Sequence, residues 1–187
     1  EVAPGAAHKN MYINQHGEVD KSLSLDGALA AGIPGAPAAL DHLNNKYGRL
    51  TLKQTLAPAI RYATQGFKVT EHFQRLVGFR LKVLNASPEA KAIFLRNSQI
   101  PDIGTIITQP QLAETLAQIA QYGRDGFYQG KVAQMLVDSV KKAGGIWTLQ
   151  DLQNYRVKER DPITSHYGGY KVSSAALPSS GGIVLTS

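Results

Sequence analysis

Apolar residues recur at helical spacing over most of the chain. The clearest stretch lies between Thr108 and Gly123, where one apolar stripe forms from Leu112, Leu116, Ile119 and Ala120. Thr108 and Gln111 have the spacing of a capping box, and Gly123 is a typical stop signal. We therefore expect a helix that starts after Thr108 and ends at Gly123.

The same reasoning predicts helices over six further segments. These are 36–47, 51–66, 70–84, 87–95, 130–143 and a single turn over 148–155. Pro58 interrupts the second of them, so a kink or two short helices are expected there, the second starting at Pro58. Near the start of the chain, 11–13 is predicted to form a short strand, followed by a turn at 16–18.

The period changes in the last third. The segments 155–159, 163–167 and 170–174 are short and rich in Val, Thr, Ile and Tyr, and Pro162 and the Gly168-Gly169 pair separate them. We interpret them as strands. The predicted class is α+β with helix dominant, in a single partial domain over 1–187 that is mainly helical over 1–154. Residues 155–187 would hold the short strands and the start of the next element.

Charge changes this picture little. The 20 Lys and Arg residues against 14 Asp and Glu give a net charge of +6, but the basic residues are spread along the chain. The only adjacent basic pair, Lys141-Lys142, lies at the end of a predicted helix, where cations complement the helix dipole. We therefore predict no nucleic-acid partner. The longest uncharged runs, 27–40 and 172–187, are too short to cross a bilayer, so no membrane span is predicted.

Local motifs indicate no cofactor and no metal. The chain has no Cys, and its five His residues (His8, His16, His42, His72 and His166) lack metal-ligand spacing. A phosphate-binding loop before Lys131 is excluded because Asp125 and Val132 occupy two of its required positions.

The pair Ser179-Ser180, between Pro178 and Gly181-Gly182, is the most conspicuous candidate nucleophile. A nucleophile elbow needs the order Gly-x-Ser-x-Gly and the helix that follows it, and both are missing from the sequence pattern here. A tight strand-to-helix turn is the preferred interpretation.

Both ends of the sequence are expected to be cut from a longer chain. Residue 1 is Glu and not Met, and no export signal follows it. The apolar run 181–187 stops without a cap or a polar tail, so we expect its packing partner elsewhere and association through the face near 183–185.

An ordered series of short motifs resembles the large-subunit portion of bacterial γ-glutamyltransferases. It runs across nearly all of the 187 residues and comprises Glu1-x-Ala3-Pro4, Gly32-Ile33-Pro34-Gly35, Tyr47-Gly48, Pro58-Ala59-Ile60, Gly66-Phe67, Gln109-Pro110-x-Leu112-Ala113, Phe127-Tyr128-x-Gly130, Gly144-Gly145, Asp151-Leu152 with Tyr155, Arg160 with Pro162, Gly169-Tyr170 and Pro178-Ser179-Ser180-Gly181-Gly182.

The resemblance implies a helix-rich fragment of an N-terminal-nucleophile hydrolase, in which helices enclose two sheets (an αββα sandwich). Such precursors cut themselves into a large and a small subunit. The new N-terminal Thr of the small subunit then attacks a γ-glutamyl amide such as glutathione and passes the acyl group to water, an amino acid or a peptide. A periplasmic or secreted location is implied on the same basis.

The resemblance assigns no catalytic, substrate-binding or metal-binding residue to this chain. The family's Arg that binds the substrate α-carboxylate belongs to an Arg-Glu-x-Ala-Pro motif, so Glu1 is named only as its neighbour. The Thr nucleophile would lie beyond Ser187, so the 187 residues alone are expected to be inactive. The expected partners are the small subunit and the remaining large-subunit segments.

Two alternatives stay open. The parent protein could be an acylase or amidase of the same scaffold that acts on a β-lactam side chain or on polyglutamate. It could also be a helical binding or scaffold protein without the Thr.

Overall fold

The computed structural model describes residues 2–184, except for the side chain of Ile183. The expectations that concern Glu1 and the association face near 183–185 fall wholly or mainly outside the described residues. The chain folds into two compact units, Glu1–Tyr155 and Arg156–Ser187. The single domain over 1–187 stays a prediction.

The first unit is built from helices joined by short loops. Within the described residues its helices are α1 (Lys21–Leu25), α2 (Ala36–Tyr47), α3 (Leu52–Gln65), α4 (Glu71–Ala86), α5 (Pro88–Phe94), α6 (Pro110–Tyr122), α7 (Asp125–Tyr128), α8 (Gly130–Lys142) and α9 (Leu149–Asn154), with a 3₁₀ turn at Ala28–Ala30. Strands β1 (Phe67–Lys68) and β2 (Ile106–Ile107) pair antiparallel. The predicted helix-rich α+β class is confirmed.

Helix boundaries follow the predicted caps in most places. Thr51 caps α3 through a capping box with Gln54, whose side chain accepts from the Thr51 amide at 2.9 Å. Gly66 ends the same helix with φ at +88°, and a Cβ there would lie 2.7 Å from the Ile107 carbonyl oxygen. The left-handed backbone and the close approach of β2 therefore both require glycine.

The structure excludes one of the two alternatives for α3 and contradicts the predicted cap of α6. The helix α3 runs through Pro58 as one element, so the alternative of two short helices is excluded. The helix α6 has Gln109 at its N-cap with no side-chain cap, so the Thr108–Gln111 capping box does not form. Pro110 occupies the first helical position, where its missing N–H needs no partner. The N-cap is therefore Gln109, one residue later than the spacing suggested.

The core of the first unit lies between its helices and the β1–β2 ribbon. The largest residues with almost no exposure are Val69, Pro101, Ile107, Tyr128, Val137 and Leu152. Phe67 pairs with Ile107 across the ribbon, and the Ile107 side chain is fully buried. This ribbon was not predicted, because two-residue strands carry no measurable period.

The segment before α1 also differs from its prediction. Residues 11–13 form no strand; Ile13 and Val19 make one isolated antiparallel bridge around a turn that the Asn14 side chain closes. Asp20 then caps α1, an element that was not predicted. A helix of five residues is too short for its apolar pattern to be distinguished from that of a loop.

The second unit is a hairpin followed by a helical turn. Strands β3 (Ile163–Tyr167) and β4 (Tyr170–Ser174) pair antiparallel around Gly168 and Gly169, both at positive φ as a two-residue turn of this kind requires. Both strands confirm their prediction. The predicted strand at 155–159 is wrong, because the segment finds no ladder partner within the described residues, and strand formation depends on such a partner.

A short helix, α10 (Gly181–Val184), follows β4 after a loop. The expectation that no helix follows Ser179-Ser180 is therefore wrong, whereas the turn between strand and helix is confirmed. The order around the serines still lacks the Gly-x-Ser-x-Gly pattern of an elbow.

Candidate functional site

The segment of residues 2–7, next to the position where the family resemblance implies substrate contact, is held by two hydrogen bonds to the rest of the first unit and by one within the segment. The carbonyl of Val2 accepts from the amide of Ile33 at 2.9 Å. The amide of Ala7 donates to the carbonyl of Pro4 at 2.9 Å, and Pro4 itself is buried. The amide of Gly5 donates to Asp151 Oδ1 at 2.8 Å, across 146 positions of sequence. We call residues 2–7 the N-terminal segment.

Asp151 binds with both carboxylate oxygens. Oδ2 accepts from the amide and hydroxyl of Thr148 at 2.8 and 2.7 Å, which completes the capping box of α9. Oδ1 is left for Gly5. Partial burial raises the pKa of Asp151, but the hydrogen bonds from Thr148 and Gly5 outweigh it and hold the pKa below its usual value. The group is therefore an ionised acceptor at neutral pH.

The backbone of 31–34, to which Val2 pairs, is held by two buried aromatic side chains. Trp147 Nε1 donates to the carbonyl of Ala31 at 3.0 Å. The Tyr128 hydroxyl donates to the carbonyl of Pro34 at 2.6 Å and accepts from the amide of Ala38 at 3.3 Å. Burial raises the pKa of Tyr128, so its hydroxyl keeps the proton that it donates.

Arg124 joins these parts to the end of α9. Its Nη2 donates to the carbonyls of Gln153 and Tyr155, each at 2.8 Å. Its guanidinium lies 4.9 Å from the centre of the Tyr128 ring, which in turn stacks on Tyr155 with centroids 5.6 Å apart. The acceptor Asp151 thus belongs to a helix whose end is fixed by a cation and two rings.

An open groove of about 740 Å³ lies beside α2 and the start of α7. Several of its polar side chains are engaged in local structure: Asp41 accepts from Asn45, Thr51 caps α3, and Arg124 pairs with Asp125. We therefore assign it no ligand.

The candidate residues from the sequence are not brought into one site. Ser179 and Ser180 are exposed and lie in the loop before α10, where the Ser179 amide donates to the Ala176 carbonyl. Within residues 2–184, no three His, Asp or Glu side chains are grouped so that they could hold a metal ion. None of the helices described there has the length and apolar character to cross a membrane.

The contacts of Asp151, Tyr128 and Trp147 with the N-terminal segment and its support were missed by sequence reasoning. The capping-box spacing of Thr148 and Asp151 was visible, but it uses only one carboxylate oxygen. The acceptor for Gly5 is the second oxygen, and no local pattern predicts it.

Comparison with known proteins identifies the family. The sequence profile described as "Gamma-glutamyltranspeptidase" matches residues 1–187. The chain belongs to this family. It is 40% identical over 186 residues to the "Glutathione hydrolase proenzyme" of Pseudomonas sp. strain A14, a match that covers 99% of the chain and 32% of that relative.

Solved structures agree with the family assignment. The γ-glutamyltranspeptidase of Helicobacter pylori superposes with a TM-score of 0.95 and 39% identity, over 99% of this chain and 53% of the other. The cephalosporin acylase of Bacillus halodurans gives a TM-score of 0.73 and 31% identity, over 79% of this chain and 29% of the other. The resemblance to γ-glutamyltransferases and the N-terminal-nucleophile hydrolase class are confirmed. The chain spans about a third of the length of the curated relatives it matches.

Proposed function

We propose that this γ-glutamyltranspeptidase-family chain is part of the large subunit of an enzyme that cleaves γ-glutamyl amides such as glutathione and transfers the acyl group to water, amino acids or peptides. The supporting observation is the extent of the likeness to the H. pylori γ-glutamyltranspeptidase, which covers 99% of the chain at a TM-score of 0.95. The cephalosporin acylase aligns over 79% only, so an acylase activity is the less favoured alternative.

In this proposal the nucleophile is the N-terminal Thr of the small subunit, and the 187 residues contribute scaffold. The residue before Glu1 in the longer chain would be the Arg of the Arg-Glu-x-Ala-Pro motif, and it would bind the substrate α-carboxylate. The N-terminal segment would then set the position of that Arg, because Val2 and Gly5 are tied to the body of the first unit. The other partners would be the remaining segments of the same precursor, in a periplasmic or secreted location.

The test uses the full-length protein that contains this chain. After self-cleavage it should release product from a chromogenic γ-glutamyl anilide and from glutathione, and replacement of its N-terminal small-subunit Thr by Ala should abolish both activities. Hydrolysis of a cephalosporin side chain without γ-glutamyl turnover would favour the acylase. Absence of any turnover, together with absence of a Thr-Thr-His sequence followed by an aromatic residue beyond Ser187, would favour a scaffold protein.

A further inference from the structure

We propose that Asp151 is a positioning residue for γ-glutamyl substrate binding, acting through the amide of Gly5; this inference rests on the proposed function. Asp151 binds the N-terminal segment at Gly5. Under the proposed function, that segment would come directly after the Arg that binds the substrate α-carboxylate.

The two carboxylate oxygens of Asp151 have different roles: one caps α9, and the other binds the N-terminal segment. A capping box needs one acceptor at the third helical position, and Oδ2 supplies it to Thr148. Oδ1 is not needed by the helix, and it accepts from Gly5 at 2.8 Å. The second contact therefore stabilises the segment and not α9.

The acceptor is held on a rigid base. Leu152, the next residue, is fully buried, and Arg124 binds the two carbonyls at the end of the helix. A fixed acceptor orders a partner more strongly than a mobile one, because less conformational entropy is lost when the contact forms.

Gly5 is suited to this contact by its lack of a side chain. A Cβ at Gly5 would lie 3.0 Å from Asp151 Oδ1, too close unless the amide or the carboxylate moves. The other tether of the segment, Ile33 to Val2, is between backbone groups. Of these two hydrogen bonds, only the one to Asp151 can be removed by replacing a side chain outside the segment.

The chain offers a matched control in the capping box of α3. Gln54 accepts from the amide and hydroxyl of Thr51, as Asp151 Oδ2 does from Thr148, and its bonds stay within that box. Gln54→Ala therefore removes the same kind of cap without touching the N-terminal segment.

The experiment measures kcat and KM of the full-length processed enzyme for a γ-glutamyl anilide. We expect Asp151→Ala to raise KM by about tenfold or more with kcat changed by less than about threefold, and Gln54→Ala to leave both near wild type. Gly5→Ala should raise KM in the same direction. In the double variant the added Cβ meets no carboxylate, so its KM should equal that of Asp151→Ala alone.

Equal KM values for Asp151→Ala and Gln54→Ala, or additive effects of Gly5→Ala and Asp151→Ala, would overturn the proposal. Gly5→Ala leaves the α9 cap intact and keeps the test open if Asp151→Ala fails to fold. Amide hydrogen exchange of residues 2–7 gives an independent readout. Exchange should rise about tenfold in Asp151→Ala but not in Gln54→Ala, and unchanged exchange would refute the tether. If the wild type is inactive but exchange of residues 2–7 still rises in Asp151→Ala, the result counts against the proposed function and not against the Gly5–Asp151 tether.

Discussion

At the scale of single residues, Gly35 is a position where a neighbouring side chain leaves no room for a Cβ. Its backbone, with φ at −109° and ψ at −22°, suits any residue, so only space decides. A Cβ there would overlap the Tyr155 hydroxyl. We predict that Gly35→Ala lowers the free energy of unfolding by about 1–3 kcal/mol in denaturant titrations, because the stacked Tyr128–Tyr155 pair must shift.

Gly78→Ala is the control for that substitution. Gly78 is exposed inside α4, and a Cβ there would meet only Ile100 Cδ1 at an ordinary 3.6 Å. Alanine should stabilise the helix by about 0.5–1 kcal/mol, so the two glycines should give opposite signs. Equal effects would mean that Tyr155 can move aside at no cost.

The pH dependence of stability should carry a contribution from Asp151. Its pKa is lowered in the folded state, so its contribution is present above the unfolded pKa of about 4 and is lost as the pH falls through the folded value. We predict that the stability difference between wild type and Asp151→Asn shrinks as the pH falls from 6 towards about 3. Asp20, which Ser22 also holds at a lowered pKa, is present in both proteins and cancels. If the unfolding free energies of wild type and Asp151→Asn differed by the same amount at every pH, the lowered pKa of Asp151 would be contradicted.

At the scale of elements, two threonines have the same capping-box spacing in the sequence, but only one of them caps a helix. Thr51 caps α3, whereas Thr108 precedes an N-cap at Gln109. We predict that Thr51→Ala costs about 1 kcal/mol of unfolding free energy and that Thr108→Ala changes it by less than about 0.5 kcal/mol. Thermal or denaturant unfolding followed by circular dichroism measures both. Equal costs would restore Thr108 as a cap.

The helices could be predicted from sequence because their signals are local. α2, α8 and α9 end where glycine or a change of period indicates, and Thr51 and Thr148 cap the helices that were predicted to start there. The β1–β2 ribbon could not be predicted, since pairing of Phe67 with Ile107 joins positions 40 residues apart over two residues each. The strand predicted at 155–159 failed for the converse reason: its residues suit a strand, but within the described residues no strand pairs with this segment.

At the scale of the whole molecule, almost none of the contacts in the candidate site could be predicted from local sequence patterns. The Gly5–Asp151 contact spans 146 positions, and the bonds of Trp147 to Ala31 and Tyr128 to Pro34 span 116 and 94. No periodicity encodes such contacts. The ordered motifs did mark several of these residues, since Pro34, Tyr128, Asp151 and Tyr155 all belong to them, but they gave no physical role. The structure supplies that role as support of the N-terminal segment.

The division of labour between subunits gives the last prediction. If the 187 residues are scaffold for a nucleophile in the small subunit, then the chain by itself should release no product from a chromogenic γ-glutamyl anilide at any pH, while the full-length protein does. Ser179 and Ser180 are the hydroxyls that could break this expectation, because they are exposed in a loop between a strand and a helix. Measurable hydrolysis by the chain that is lost in a Ser179→Ala, Ser180→Ala double variant would move the nucleophile into these residues and overturn the proposed mechanism.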